Sequence, residues 1–136
     1  MSHNRGHDKA DCFFSIVLLG DSGVGKSSLL SRYIDDFFDS RWLSTIILDI
    51  RNNRIERQGV RVDLRFADTP GQKRFRRDPS FHNLSPGGKG EYYDGAMIVF
   101  DATNPASYDS VKNMWLPTAK KLLKPNRGAA VLVANK

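Results

Sequence analysis

Apolar residues occur along this chain in continuous runs, in alternation with polar residues and at helical spacing. Three continuous apolar runs, 13–19, 96–100 and 129–134, predict strands. The first is expected to be buried on both faces of a sheet, and the second is also expected to be buried. Apolar and polar residues alternate over 60–67, which predicts a strand with one covered face. A further predicted strand, 45–56, precedes it, and the Gln-Gly pair between these two strands is typical of a hairpin turn.

Helical spacing of apolar residues predicts two helices, 26–36 and 107–123. The predicted buried face of the second helix comprises Tyr108, Val111, Trp115, Ala119 and Leu122. Pro117 interrupts this helix, and because proline has no N–H for the carbonyl of Asn113, we expect a kink or a local break there. Strands alternate with helices after the hairpin, so the chain is predicted to form a layered α/β sheet with parallel crossover connections.

Composition and charge narrow the class of protein without identifying it. A chain of 136 residues with 40% hydrophobic content suits one soluble domain, and it contains no membrane-spanning run and no signal-peptide pattern. The single cysteine, Cys12, excludes an internal disulfide framework and suits a reducing compartment. The net charge of +6 would suit an acidic membrane surface or nucleic acid, but the basic residues lack interleaved aromatic side chains, so we expect no nucleic-acid partner. Residues 1–11 are polar and aperiodic, which predicts a disordered tail.

A glycine-rich loop follows the first predicted strand and opens the first predicted helix. Its residues are Gly20, Asp21, Ser22, Gly23, Val24, Gly25, Lys26 and Ser27. Their spacing is that of a phosphate-binding loop, in which glycines let successive N–H groups point inward and the helix dipole adds positive charge. Lys26 can reach the terminal phosphates, and the Ser27 hydroxyl can bind Mg²⁺. The loop therefore predicts a site for a nucleoside triphosphate with Mg²⁺.

Further features separate the classes of phosphate-loop protein. They are Thr45 in a Ser-Thr-Ile segment, the Asp-Thr-Pro-Gly-Gln motif at 68–72, Phe38 between the first helix and Thr45, and Asn135-Lys136 after the last strand. With these features, residues 13–136 resemble a Ras-superfamily small GTPase, nearest to the Rab branch. The Trp-Leu-Pro segment at 115–117 is more similar to the Rho branch, so the branch is left open. A phosphate-loop kinase or ATPase would not predict these features together.

The resemblance implies a phosphate-loop NTPase fold, in which a mostly parallel sheet carries helices on both faces. It implies nucleotide contacts for these residues: Asp21, Ser22, Gly23, Val24, Gly25, Lys26, Ser27, Ser28, Phe38, Thr45, Gly71, Asn135 and Lys136. The implied Mg²⁺ site consists of Ser27 and Thr45, whose hydroxyls bind the ion, and Asp68, which holds a bound water. The implied catalytic residues are Lys26, which bridges the β- and γ-phosphates, Gly71, whose N–H senses the γ-phosphate, and Gln72, which orients the attacking water.

The implied base site consists of three side chains. Phe38 packs against the guanine ring, Asn135 reads its edge, and the stem of Lys136 covers its face. An alternative for Phe38 is surface packing of a loop aromatic, because the neighbouring Phe37 could take the same place.

The resemblance also implies a function and partners. It implies a monomeric switch that binds GTP or GDP with Mg²⁺, hydrolyses GTP slowly and acts in vesicle trafficking or signalling. The implied partners are an exchange factor, a GTPase-activating protein and effectors. A cytoplasmic location is implied, with attachment to endomembranes in a longer form that carries a lipidated C-terminus. The alternative is a GTPase-derived interaction module, or an inactive truncated form, that binds nucleotide weakly and sequesters regulators.

Four departures from the family pattern carry expectations of their own. Pro70 stands where the family has alanine, and because proline stiffens the backbone we expect slower intrinsic turnover. Ile47 replaces a Rab glycine and either alters the effector-facing surface or packs on the sheet edge. The segment 76–94 is longer than the family's second switch, with 85–90 inserted. Residues 12–136 are expected to form a GTPase domain without its last strand and helix, with weaker guanine selectivity and an exposed edge at the last strand present.

Overall fold

The computed structural model describes residues 9–35, 49–69, 71 and 92–136, and within them a five-stranded sheet forms the centre of the fold. The strands are β1 (Cys12–Leu19), β2 (Asp49–Arg57), β3 (Val60–Asp68), β4 (Gly95–Asp101) and β5 (Ala129–Asn135). Their order across the sheet is β2-β3-β1-β4-β5. β1 pairs in parallel with β3 and β4, β4 pairs in parallel with β5, and β2 pairs antiparallel with β3. The prediction of a mostly parallel α/β sheet is confirmed.

The antiparallel pair is the predicted hairpin. Gln58 and Gly59 have positive φ angles of 52° and 77°, as both central residues of a type I′ turn do. Arg57 and Val60 pair directly on either side of this turn. β2 begins at Asp49, and the part of the predicted strand before it lies outside the described residues.

The first predicted helix is α1 (Lys26–Asp35), and the second consists of three consecutive pieces. The pieces are α2 (Pro105–Ser110), a π-helical turn (Val111–Trp115) and α3 (Leu116–Leu122). α2 begins earlier than predicted because Asn104 caps it, its side chain accepting a hydrogen bond from the N–H of Ala106 at 3.1 Å. None of the helices in the described residues is long and apolar enough to cross a membrane.

The irregularity expected near Pro117 is the π-helical turn. The N–H of Leu116 donates to the carbonyl of Val111, five residues back rather than four. Pro117 follows immediately and has no N–H to continue the α-helical pairing. The expectation of a local break is therefore confirmed, and its form is one wide turn.

Helices cover both faces of the sheet, as predicted. On one face, Leu30 of α1 packs against Leu18 and Phe66. On the other face, a larger cluster joins the helical segment to the sheet through Val17, Leu19, Ala67, Tyr93, Ala96, Ile98, Val111, Trp115 and Ala119. The predicted face was wrong at Tyr108, which is 40% exposed, while its neighbour Ser107 is 1% exposed. Ser107 turns inward because its hydroxyl accepts from the N–H of Asp101 and donates to the carbonyl of Asn104.

The first strand, which was predicted to be buried on both faces, is partly exposed. Phe13 and Phe14 at the beginning of β1 are 50% and 43% exposed, and burial begins only at Ser15. β5 is the outermost strand on its side of the described sheet, and its Val131 and Leu132 are at least half exposed, which agrees with the exposed edge expected there. A continuous apolar run thus identifies a strand correctly, but the number of covered faces depends on which other elements pack there.

Candidate functional site

The phosphate loop connects the carboxyl end of β1 to the beginning of α1, as predicted. Gly20 leaves the strand with a φ of +150°, and a Cβ built on it would lie 2.3 Å from the carbonyl oxygen of Val99. A side chain therefore does not fit where the loop leaves the sheet. α1 begins at Lys26, so the positive end of its dipole lies at the loop, where it favours an anion.

Lys26 is buried beneath this loop. Its ammonium donates to the carbonyl oxygens of Gly20 at 2.7 Å and Asp21 at 2.9 Å. Burial lowers the pKa of Lys26 to about 8, against the opposing effect of the Asp68 and Asp21 carboxylates. The side chain is still mostly protonated at neutral pH, so it presents a desolvated positive charge at the place where terminal phosphates are predicted to bind.

Ser27 and Asp68 come together beside Lys26. Parallel pairing of Leu18 with Asp68 brings the carboxyl ends of β1 and β3 to the same edge of the sheet. The Ser27 hydroxyl donates to a carboxylate oxygen of Asp68, which is 2% exposed. A hydroxyl and a carboxylate are hard oxygen donors, and Mg²⁺ binds to few protein oxygens while keeping water and phosphate ligands. These two residues therefore fit the predicted Mg²⁺ site.

Thr69 and Gly71, the described residues directly after β3, lie close to β1 and the phosphate loop. The hydroxyl of Thr69, which is fully buried, donates to the carbonyl of Leu18 at 2.6 Å. A Cβ built on Gly71 would lie 2.4 Å from the Ser22 nitrogen, 2.5 Å from the Asp21 carbonyl carbon and 2.6 Å from the Gly20 oxygen. Backbone contact this close accepts glycine alone, so Gly71 packs directly against the phosphate loop.

Asn135 and Lys136 attach the end of β5 to the same loop. The Asn135 side-chain amide donates to the carbonyl of Val24 at 2.9 Å, and the Lys136 ammonium donates to the carbonyl of Gly23 at 2.6 Å. Both residues are more than 110 positions away from their partners in the chain. The residues predicted to read the base thus lie directly beside those predicted to hold the phosphates.

The side chain of Asp21 points toward the helical layer. Its carboxylate accepts a hydrogen bond from the indole N–H of Trp115 at 2.8 Å. Trp115 is fully buried at the end of the π-helical turn. Sequence reasoning missed this contact, since it assigned Trp115 to the core alone and Asp21 to the nucleotide. It also gave no role to Thr69, although a hydroxyl residue directly after the strand-ending Asp68 was a local signal.

Several predicted residues lie outside the described part of the chain. They are Phe37, Phe38, Thr45, Ile47, Pro70 and Gln72, together with the proposed insertion 85–90. Their roles stay predictions. Ser28 lies in the first turn of α1 and is partly buried.

Comparison with known proteins identifies the family. The model of the Ras family matches residues 15–136. Ras-related protein Rab-8A of Bos taurus and of Mus musculus, and Ras-related protein Rab-8B of Homo sapiens, are each 40% identical to this chain over 109 residues. The match covers 78% of this chain and 47% of each relative, so the chain spans about half the length of the curated relatives it matches. The family model matches most of this chain, and the sheet order and the phosphate loop agree with that match. The chain therefore belongs to the Ras family of small GTPases.

Proposed function

We propose that the chain binds GTP and GDP with Mg²⁺ and acts as a slowly hydrolysing switch in vesicle trafficking. The observation that carries the proposal is the pair of hydrogen bonds from Asn135 and Lys136 to the carbonyls of the phosphate loop. They place the pair that would read the base beside the phosphate cradle, which supports a guanine-nucleotide site over a general triphosphate site. The role in trafficking is drawn from the Rab relatives.

The phosphate end of the proposed site uses buried groups. Lys26 supplies the charge for the β- and γ-phosphates from a desolvated position. Ser27, Thr45 and Asp68 would hold Mg²⁺, directly or through water, and the ion would neutralise charge on the phosphate oxygens. Gln72 would orient the attacking water.

The proposed switch element is the segment that follows β3. Gly71 lies against the backbone of Asp21 and Ser22, so a γ-phosphate in the cradle would compete for the space beside its N–H. Thr69 holds the beginning of the segment through its bond to Leu18. The movement would therefore begin after Thr69, at Pro70, where we propose that the fixed φ slows the change. An exchange factor, a GTPase-activating protein and effectors would recognise this segment.

A nucleotide titration tests the proposal. GDP and ADP that carry the same fluorescent group are titrated into the chain with Mg²⁺ and with a chelator. We expect Mg²⁺-dependent binding that favours GDP. Lys26→Ala should weaken GDP binding about 10- to 150-fold, because a buried charge-assisted contact is lost. Lys120→Ala, an exposed lysine of α3, is the matched control and should bind as the wild type does.

Two outcomes would contradict the proposal. Equal affinity for GDP and ADP would remove the guanine assignment and leave a general phosphate site. Absence of binding under both conditions would favour the alternative, an interaction module that sequesters regulators without nucleotide.

A further inference from the structure

The proposed function gives no role to one hydrogen bond, which joins the helical segment at 105–122 to the phosphate loop. The indole N–H of Trp115 donates to the Asp21 carboxylate at 2.8 Å, across 94 residues of sequence. The indole is fully buried, so it does not touch a bound nucleotide directly. A hydrogen bond to a carboxylate is stronger than one between two neutral groups, and this one is partly buried. This contact therefore has the strength to restrain the loop.

The π-helical turn is what points Trp115 at the loop. Ser107, Val111, Trp115 and Ala119 are all buried, at a constant spacing of four residues. On a regular α-helix each four-residue step advances about 40° beyond a full turn, so this row would rotate away from the sheet. A wide π-helical turn takes up an extra residue and reverses part of that rotation. The turn before Pro117 thus keeps Trp115 facing the sheet and the loop.

Asp21 connects this contact to the chemistry of the site. Its backbone carbonyl accepts the Lys26 ammonium at 2.9 Å and the Val24 N–H at 3.4 Å. Its carbonyl carbon also lies where a Cβ on Gly71 would come within 2.5 Å. Restraining the Asp21 side chain therefore restrains the backbone that positions both Lys26 and the switch glycine.

We propose that Trp115 is a positioning residue for the phosphate loop, acting through the Asp21 carboxylate to hold the cradle in its anion-binding shape. The inference rests on the proposed function, because it concerns how tightly that site retains nucleotide. In this proposal the side chain of Asp21 supports the loop, and the backbone of Asp21 lies on the side where the phosphates would bind. Loss of the contact loosens the cradle and speeds nucleotide release.

A double-mutant cycle on nucleotide release tests the inference. Fluorescent GDP is released from wild type, Asp21→Ala, Trp115→Phe and the double variant of the full chain, with excess GDP as competitor. Each single variant is expected to release GDP about 10-fold faster than the wild type. The double variant should also release GDP about 10-fold faster, because the two substitutions remove the same contact. Tyr93→Phe is the matched control, since it removes a buried aromatic hydroxyl from the same cluster without touching the loop.

Two further measurements separate positioning from packing. Asp21→Asn keeps an oxygen acceptor and should restore most of the slow release that Asp21→Ala loses; because Asp21 is only partly buried, these variants keep the cycle informative if Trp115→Phe does not fold. In a Trp42→Phe background, Trp115 is the single tryptophan, and its emission should change on addition of GDP with Mg²⁺. A residue that only fills the core would give no such change.

The outcomes are distinct. Wild-type release rates in both single variants, or about 100-fold faster release in the double variant, would overturn the positioning role while leaving guanine-nucleotide binding intact. If the wild type binds no fluorescent GDP, the proposed function fails first, and the positioning role fails with it.

Discussion

Polar groups serve different purposes at the two edges of the central sheet that are formed by the carboxyl ends and by the amino ends of its parallel strands. At the carboxyl edge they bond to connecting segments: Lys26 and Asn135 donate to carbonyls of the phosphate loop, and Thr69 holds the segment after β3. At the amino edge, directly before β4, the Asp94 carboxylate accepts from the N–H and the hydroxyl of Ser15 at 2.8 and 3.3 Å. Polar groups at the carboxyl edge therefore order the loops, and those at the amino edge hold neighbouring strands together.

This difference follows from the parallel topology. Parallel strands bring their carboxyl ends to one edge, and the loops that leave this edge form the binding crevice of open α/β sheets. Polar groups at the opposite edge are away from this crevice and can serve the fold itself, as Lys124 does by donating to Asp94 at 2.6 Å. Substitutions of polar side chains at the carboxyl edge should therefore change ligand binding, whereas those at the amino edge should change stability alone.

The largest expected effect comes from a side chain added where the loop leaves the sheet. Gly20→Ala places a Cβ 2.3 Å from a backbone oxygen at a φ of +150°, so the sheet or the loop must shift. We expect the free energy of unfolding in urea to fall by about 3–5 kcal/mol. Gly59→Ala is the matched control, because its φ is also positive but nothing lies within 4 Å of the added Cβ. It should cost about 1–2 kcal/mol, and equal losses in the two variants would contradict the steric argument.

A pair of aspartates tests the comparison of the two edges directly. Asp68→Ala should weaken Mg²⁺-dependent GDP binding about 10- to 100-fold, since a group that orients the metal is lost. Its free energy of unfolding should fall as well, because Ser27 loses a hydrogen-bond acceptor and the buried Lys26 loses an opposite charge. Asp94→Ala should lower the free energy of unfolding by about 1–2 kcal/mol but leave GDP binding unchanged. Titration and urea denaturation of both variants check this, and the comparison fails if both lose binding equally.

Local signals account for what could be predicted from the sequence. The phosphate loop is a run of consecutive residues whose geometry depends on its own glycines, and the hairpin depends on Gln58 and Gly59 alone. The parallel sheet followed from the alternation of strands and helices. The pattern itself indicated Lys26 and Ser27 at the beginning of a helix and Asp68 after a strand, and the family resemblance implied that Ser27 and Asp68 share one site.

Contacts between distant segments account for what could not be predicted. The bond between Trp115 and Asp21 joins residues 94 positions apart, and neither residue type signals it. The exposure of Phe13 depends on where the helices stop covering the sheet. The π-helical turn was expected only as an unspecified break at Pro117, because proline fixes where regular pairing fails but not how the helix continues.

The smallest expected effect lies in the core near the amino edge, at Tyr93. This side chain is 1% exposed, and its hydroxyl makes no hydrogen bond within the described residues. Burial raises the pKa of Tyr93 to about 12, against an opposing effect of Arg65. In the unfolded chain the group ionises near its ordinary pKa, so it contributes full stability below about pH 10 and loses it as the pH rises toward about 12.

Urea denaturation between about pH 9 and pH 11.5 should therefore show an additional loss of roughly 1 kcal/mol in the wild type that Tyr93→Phe lacks. The comparison is the difference between the two proteins, because other groups that titrate in this range are common to both. Tyr92→Phe, at an exposed neighbouring tyrosine, is the matched control and should keep the wild-type pH dependence. GDP binding should be the same in Tyr93→Phe and wild type at neutral pH. If Tyr93→Phe changed nucleotide release, the amino edge would be coupled to the loop through Trp115, and the separation of the two edges would fail.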